Sequence, residues 1–97
     1  MIRDSIIRQL IEKKRALTQF KVKSLALFGS VARGDFHSES DVDILVEFEG
    51  PATFDQYMEL KEFLEKLLQG CRIDLLTRRG IRPELLPTII QEALYVT

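Results

Sequence analysis

The chain carries one cysteine, Cys71, in 97 residues. That count alone excludes an intrachain disulfide and a zinc site built from cysteines. Excess charge is missing as well: 14 basic residues stand against 15 acidic ones, a net charge of -1. Bulk attraction to nucleic acid or to an anionic membrane is therefore not expected. Long hydrophobic runs are absent. A stretch such as Ile44-Leu45-Val46 falls far short of the ~20 apolar residues that span a bilayer. Arg3, Asp4 and Arg8 interrupt the amino end, so no signal peptide is expected. Repeats, linkers and biased segments are also missing. What is present, 45% hydrophobic and 30% charged residues, is a globular balance that argues against disorder. The expectation is one soluble cytoplasmic domain, at the lower edge of the ~100–200 residues typical of an independent fold. Catalysis in so small a chain would call for a second chain to complete the pocket.

Periodicity supplies the elements. Residues 4–18 read as a helix with Ile6, Ile7, Leu10, Ile11 and Leu17 on one stripe, capped by Ser5 or Asp4. Residues 22–28 suit a buried strand. Gly29-Ser30 ends it, and Val31-Ala32-Arg33 gives one helical turn that Gly34 closes. Residues 35–40 are polar and read as a loop. Residues 41–48 form the second strand, and Gly50-Pro51 breaks it. Thr53 to Gln56 is a capping box opening a helix to about Gln69, with Gly70 at the C-terminal cap. Cys71 to Thr77 is a third strand, with Cys71 buried in it. Arg78-Arg79-Gly80 is a turn. Pro87 opens a last helix with Ile89, Ile90, Ala93 and Leu94 on one face. The order αβαβαβα describes a small α/β sandwich, a sheet of three strands or slightly more packed with helices. The second strand, helix and third strand form a parallel, right-handed βαβ unit. The direction of the first strand relative to the second stays open.

Three carboxylates attract notice. Asp41 and Asp43, two apart in a strand, leave the same face with Cα atoms about 7 Å apart. Like charges so placed raise each other's pKa, and a divalent cation relieves the repulsion through the hard oxygen ligands that Mg²⁺ prefers. Asp74 interrupts Ile73-Asp74-Leu75-Leu76, a run that otherwise looks buried, and a charge among apolar neighbours is usually paired or metal-bound. Three carboxylates on adjoining strands could hold two cations ~3.5–4 Å apart, as in two-metal phosphoryl and nucleotidyl transfer. The bland alternative is that these residues start strands or face solvent. Gly29-Ser30 adds a close backbone approach and free N–H groups at a helical turn, both suited to phosphate; alone, it is an ordinary turn.

Together these residues resemble a known family. Gly29-Ser30, ten intervening residues and Asp41-Val42-Asp43 reproduce the signature of the nucleotidyltransferase superfamily to which DNA polymerase β belongs. The stretch Gly29-Ser30-Val31-Ala32-Arg33-Gly34, followed by Ser40-Asp41-Val42-Asp43, looks like its minimal nucleotidyltransferase (MNT) branch. The segment Ile81-Arg82-Pro83-Glu84 through Glu92-Ala93-Leu94-Tyr95-Val96 looks like the MntA-type antitoxins of HEPN/MNT toxin–antitoxin pairs. The resemblance implies that residues 1–97 are a single minimal nucleotidyltransferase domain. It implies that Asp41 and Asp43 ligate Mg²⁺ and position the triphosphate, and that Asp74 is a third ligand helping to activate the attacking hydroxyl. Gly29 and Ser30 match the triphosphate-binding pair. Arg33 matches an arginine that steadies the loop or approaches the phosphates, with an exposed cation as the plain alternative.

The implied activity uses two Mg²⁺ ions and ATP to place AMP on a tyrosine hydroxyl of a cognate HEPN ribonuclease toxin, neutralising it. The implied partners are that toxin, in a hetero-oligomer, and a nucleoside triphosphate, with a homodimer allowed and neither nucleic acid nor membrane contacted directly. Two alternatives belong to other classes: an antitoxin that acts by binding alone, and a nucleotidyltransferase of antibiotics. His37 reads as a solvated loop residue. Arg78, Arg79 and Arg82 read as a solvated turn, and Phe54, Tyr57 and Phe63 as core or interface.

Overall fold

In the computed structural model, which describes residues 2–34, 41–69 and 71–97, alternation along the strands sorts the side chains into two faces. Strand β1 (Val22–Phe28) lies antiparallel to β2 (Asp41–Phe48), and β2 lies parallel to β3 (Arg72–Thr77). Val42, Ile44 and Val46 are fully buried on one face of β2, beside Leu25 and Leu27 of β1 and Ile73 and Leu75 of β3. Period-two geometry then puts Asp41, Asp43, Leu45 and Glu47 on the opposite face.

Helices cover the apolar face. The expected helix over 4–18 is two helices, α1 (Ile2–Glu12) and α2 (Lys14–Gln19), broken where Lys13 takes φ -101° and ψ 18°. Ile6 and Leu10 of α1 and Leu17 of α2 all enter the core. Neither glycine nor proline occurs around Lys13, so nothing local announces the break; it serves packing. The turn that follows places Lys21 at φ 61°.

Helix α4 (Phe54–Leu67) crosses from β2 to β3 and makes them parallel. Its capping box forms as expected: Thr53 Oγ1 accepts from Gln56 N–H at 3.1 Å, and Gln56 Oε1 accepts from Thr53 N–H at 2.8 Å. Leu60 and Leu64, with Leu68 just beyond, are buried, at about 1.5–3 kcal/mol each. Tyr57 donates its hydroxyl to the Leu75 carbonyl at 2.6 Å, tying the helix to β3. Tyr57 and Phe63 pack against the core, whereas Phe54 is exposed. The glycine expected to cap α4, Gly70, lies outside the described residues, as does the loop 35–40.

Three differences from the sequence reading have physical causes. Cys71 is half-buried and precedes β3 rather than opening it. Helix α5 (Leu86–Glu92) stops before Ala93, and Leu94–Tyr95 form a fourth strand, β4. The free edge of β1 competes for that segment: Ala26 pairs with Tyr95, Leu27 with Leu94, and Val96 N–H donates to the Leu25 carbonyl at 2.9 Å. Obligatory backbone bonding outweighs the helical spacing of Leu94. The sheet order is therefore β3-β2-β1-β4, four strands, within the expected three or slightly more. Finally, α5 has no fully buried residue: Ile89, Ile90 and Ala93 are half-buried, and Leu94 is exposed.

Candidate active site

The carboxylate face comes together at the amino-terminal ends of β2 and β3 and the carboxyl end of β1. In the ladders, Asp43 sits opposite Phe28 on one side and Asp74 on the other, while Asp41 sits opposite Arg72. Asp74 does not interrupt a buried run: it is exposed, and Ile73 and Leu75 bury toward the helices on either side of it. Its sequence neighbours misled because only alternate residues of β3 share its surroundings.

Asp43 and Asp74 interact directly. Partial burial is the largest influence on Asp43, followed by the charge of Asp74, a side-chain hydrogen bond with Asp74 and the charge of Asp41. Together, against an opposing pull from Arg33, they raise its pKa from 3.8 to about 6. Asp41 Oδ1 also lies 3.0 Å from Arg72 Nε.

Gly29 follows β1 directly, at φ +68°, and opens the short helix α3 (Gly29–Arg33). Its backbone lies so close to Asp43 that an added Cβ would collide with Asp43 Oδ2 and stand 3.1 Å from its Cγ. Only glycine brings the strand end this near a carboxylate. Ser30 is half-buried beside it, and Gly34 closes the turn at φ 85°, donating its N–H to the Ser30 carbonyl at 3.1 Å. Arg33 pairs with Glu92 of α5 at 3.7 Å, with both side chains about half exposed. The structure thus brings Gly29, Ser30, Arg33, Asp41, Asp43 and Asp74 to one end of the sheet. His37 and Ser40 lie outside the described residues.

The donor chemistry suits a hard divalent cation: the side chains are carboxylates, and the like charges of Asp74 and Asp41, which add to burial in raising the Asp43 pKa, are what a cation relieves. Among the described residues, however, no three His, Cys, Asp or Glu side chains form a ready-made coordination shell. Sequence reasoning assigned nothing to Arg72 or to Glu92. For Arg72 a signal existed, since it stands two residues before Asp74 and shares its face. For Glu92 none did, since its contact to Arg33 is long-range.

A cavity of about 210 Å³ lies at the opposite end of β2 and β3, bounded by Glu47, Pro51 and Arg78. It is below the ~300–1,000 Å³ of typical ligand pockets and is remote from the carboxylates. At the carboxylate site, Asp41 and Asp74 are exposed and Asp43 is half-buried.

A surface that joins a phosphate-suited glycine-serine turn to paired strand carboxylates defines a nucleotidyl-transferring class of enzyme. The chain belongs to the nucleotidyltransferase domain family, which it matches over residues 7–96. A Methanocaldococcus jannaschii protein provisionally designated a protein adenylyltransferase is 42% identical, covering 95% of this chain and 96% of its own length. Protein adenylyltransferase MntA of Thermococcus cleftensis is 39% identical over 87% of this chain and 84% of its own. A solved structure described as a minimal nucleotidyltransferase superposes with a TM-score of 0.73 at 34% identity, covering 95% of this chain and 86% of that one. The fold is shared with an MNT antitoxin–HEPN toxin complex containing a tri-AMPylated toxin from Shewanella oneidensis (TM-score 0.61, 22% identity, 92% of this chain and 71% of that one).

Proposed function

We propose that this chain acts in the cytoplasm as a Mg²⁺-dependent protein adenylyltransferase. It moves AMP from ATP to a tyrosine hydroxyl of a HEPN-type toxin and so neutralises the toxin. The observation that carries the reading is the apposition of Asp43 and Asp74 on adjoining strands, with Asp41 one pair away and the Gly29 backbone against Asp43. The names of the relatives and the shared fold of the toxin–antitoxin complex support the acceptor class.

In this reading the backbone of Gly29 and Ser30 cradles the triphosphate, and Arg33 offsets its charge. Asp41, Asp43 and Asp74 would hold two Mg²⁺ ions, which supply Lewis-acid stabilisation of charge on the acceptor oxygen and on the departing pyrophosphate. The acceptor oxygen forms a bond to the α-phosphorus as the bond to the pyrophosphate oxygen breaks, and the acceptor proton passes to the exposed Asp74 carboxylate. No covalent nucleophile is needed, so alignment and electrostatics carry the rate. The exposure of Asp41 and Asp74 fits completion by a partner chain, and Leu85 and Tyr95 offer apolar surface in the carboxyl-terminal segment, 51% and 49% exposed.

Co-expression with a HEPN-type toxin, incubation with labelled ATP and mass spectrometry of that toxin test the reading. A mass gain of one or more AMP units, abolished by Asp41→Asn/Asp43→Asn, is the expected result. Inhibition of the toxin by that double variant without any mass gain would instead establish an antitoxin that works by binding alone.

A further inference from the structure

Helix α1 turns one stripe inward, with Arg3 one turn before Ile6 and Ile7 and two turns before Leu10. Arg3 thus stands at the open end of a stripe whose later residues enter the core, and its side chain is only 32% exposed. From there Nη1 donates to the Ala32 carbonyl of α3 at 3.3 Å, across 29 positions of sequence. Ala32 belongs to the last turn of α3, whose carbonyls lack intrahelical partners, and a cation at that end of a helix is favourable. The same guanidinium packs over the glycine that closes α3: a Cβ at Gly34 would stand 3.4 Å from Nη1. The other contact is weak. Arg3 Nε lies 3.9 Å from Asp4 Oδ1, beyond hydrogen-bond reach, and is buried with no hydrogen-bond partner among the described residues. An apolar side chain of similar length would avoid that unpaired burial. What arginine adds is a donor aimed at α3.

We propose that Arg3 is a positioning residue for the nucleotide: by holding the carboxyl end of α3 it fixes the Gly29-Ser30 turn at the other end of the same helix. The inference rests on the reading of Gly29 and Ser30 as the triphosphate cradle. Helix α3 has five residues, too few to be stable alone, so tertiary ties set its orientation. Its buried Val31 and Ala32 seat it by their side chains, and Arg33 pairs with Glu92 at the surface. The Arg3 bond instead grips the backbone. Within a single turn, a shift of the Ala32 carbonyl carries Ser30 with it. Arg3 therefore acts through α3 and not by contact with the nucleotide. It also stands before residues 7–96, over which the chain matches its family, so the tie comes from outside the matched segment.

Calorimetry of the full chain with a non-hydrolysable ATP analogue at saturating Mg²⁺ is compared for the wild type, Arg3→Met, Arg3→Lys and Asp4→Asn. Thermal melts and amide hydrogen exchange accompany each titration. Arg3→Met keeps an unbranched stem and loses the donor. It is expected to bind the analogue about three- to tenfold more weakly, with faster exchange over α3 and a Tm within about 4 °C of the wild type. Arg3→Lys, which retains a charged donor, should recover part of the affinity, and Asp4→Asn should match the wild type. Unchanged affinity in Arg3→Met overturns the proposal. So does a loss of affinity that comes with a large fall in Tm and faster exchange throughout the core, which would make Arg3 a folding residue only. If the wild type itself fails to bind the analogue, the triphosphate reading of Gly29 and Ser30 fails, and the role of Arg3 falls with it.

Discussion

Replacing Gly29 by alanine isolates the closest contact of the site. Two costs follow from the structure. The backbone at φ +68° is one that alanine adopts at a penalty of about 1 kcal/mol. The new methyl would also strike Asp43 Oδ2, whereas Asp43 Cβ, 3.4 Å away, is at ordinary contact. The carboxylate must rotate off its preferred rotamer, adding about 1 kcal/mol. Gly29→Ala is therefore expected to lose about 2 kcal/mol, or roughly 8–16 °C in Tm for a chain of this size. Its nucleotidyl transfer should fall by 100-fold or more, because the displaced carboxylate no longer faces the reacting groups. A double-mutant cycle separates the two costs. In an Asp43→Ala background the methyl has nothing to strike, so Gly29→Ala should cost only the backbone part, about 1 kcal/mol. Urea melts of the four proteins read the coupling directly. Equal costs of Gly29→Ala in both backgrounds would refute the claim that glycine is required here by its nearness to Asp43.

Two further outcomes are expected. Because Asp43 binds its proton more tightly in the fold (about 6) than at its ordinary 3.8, it favours the metal-free fold below pH 3.8, and that contribution is lost as pH rises through about 6. Asp43→Asn should thus gain about 1 kcal/mol on the metal-free wild type between pH 4 and 7 in urea melts, with the shift discounted for a partly solvated carboxyl. Thr53→Ala removes the acceptor for Gln56 N–H at the start of α4 and should cost about 1 kcal/mol in thermal melts without altering nucleotide binding.

Legibility in the sequence divided along local and long-range physics. The capping box at Thr53, the glycine that ends β1 and the βαβ connection each depend on residues close together in the chain, and all three were readable. The motif residues were readable as a resemblance, and the pairing of Asp43 with Asp74 follows once β2 and β3 are parallel and in register. The break at Lys13 and strand β4 were not readable, since each answers a distant demand: packing of Leu10 and Leu17 in the first case, the open edge of β1 in the second. Asp74 was seen as a charge in a buried run because sequence adjacency does not separate the two sides of a strand. The pairs Arg72–Asp41 and Arg33–Glu92 bridge segments 31 and 59 residues apart, and charge alone did not select them.

The two-sidedness of β3 links folding to chemistry through parity. Ile73 and Leu75 serve the interior, and Asp74 between them serves the reaction. Adding or deleting one residue upstream within that strand would exchange their duties, sending the carboxylate into the oil and the leucine into the water. Insertions in the α4 connection carry no such consequence, so divergence among related chains should lengthen the crossover freely while holding the odd–even count of the strand fixed.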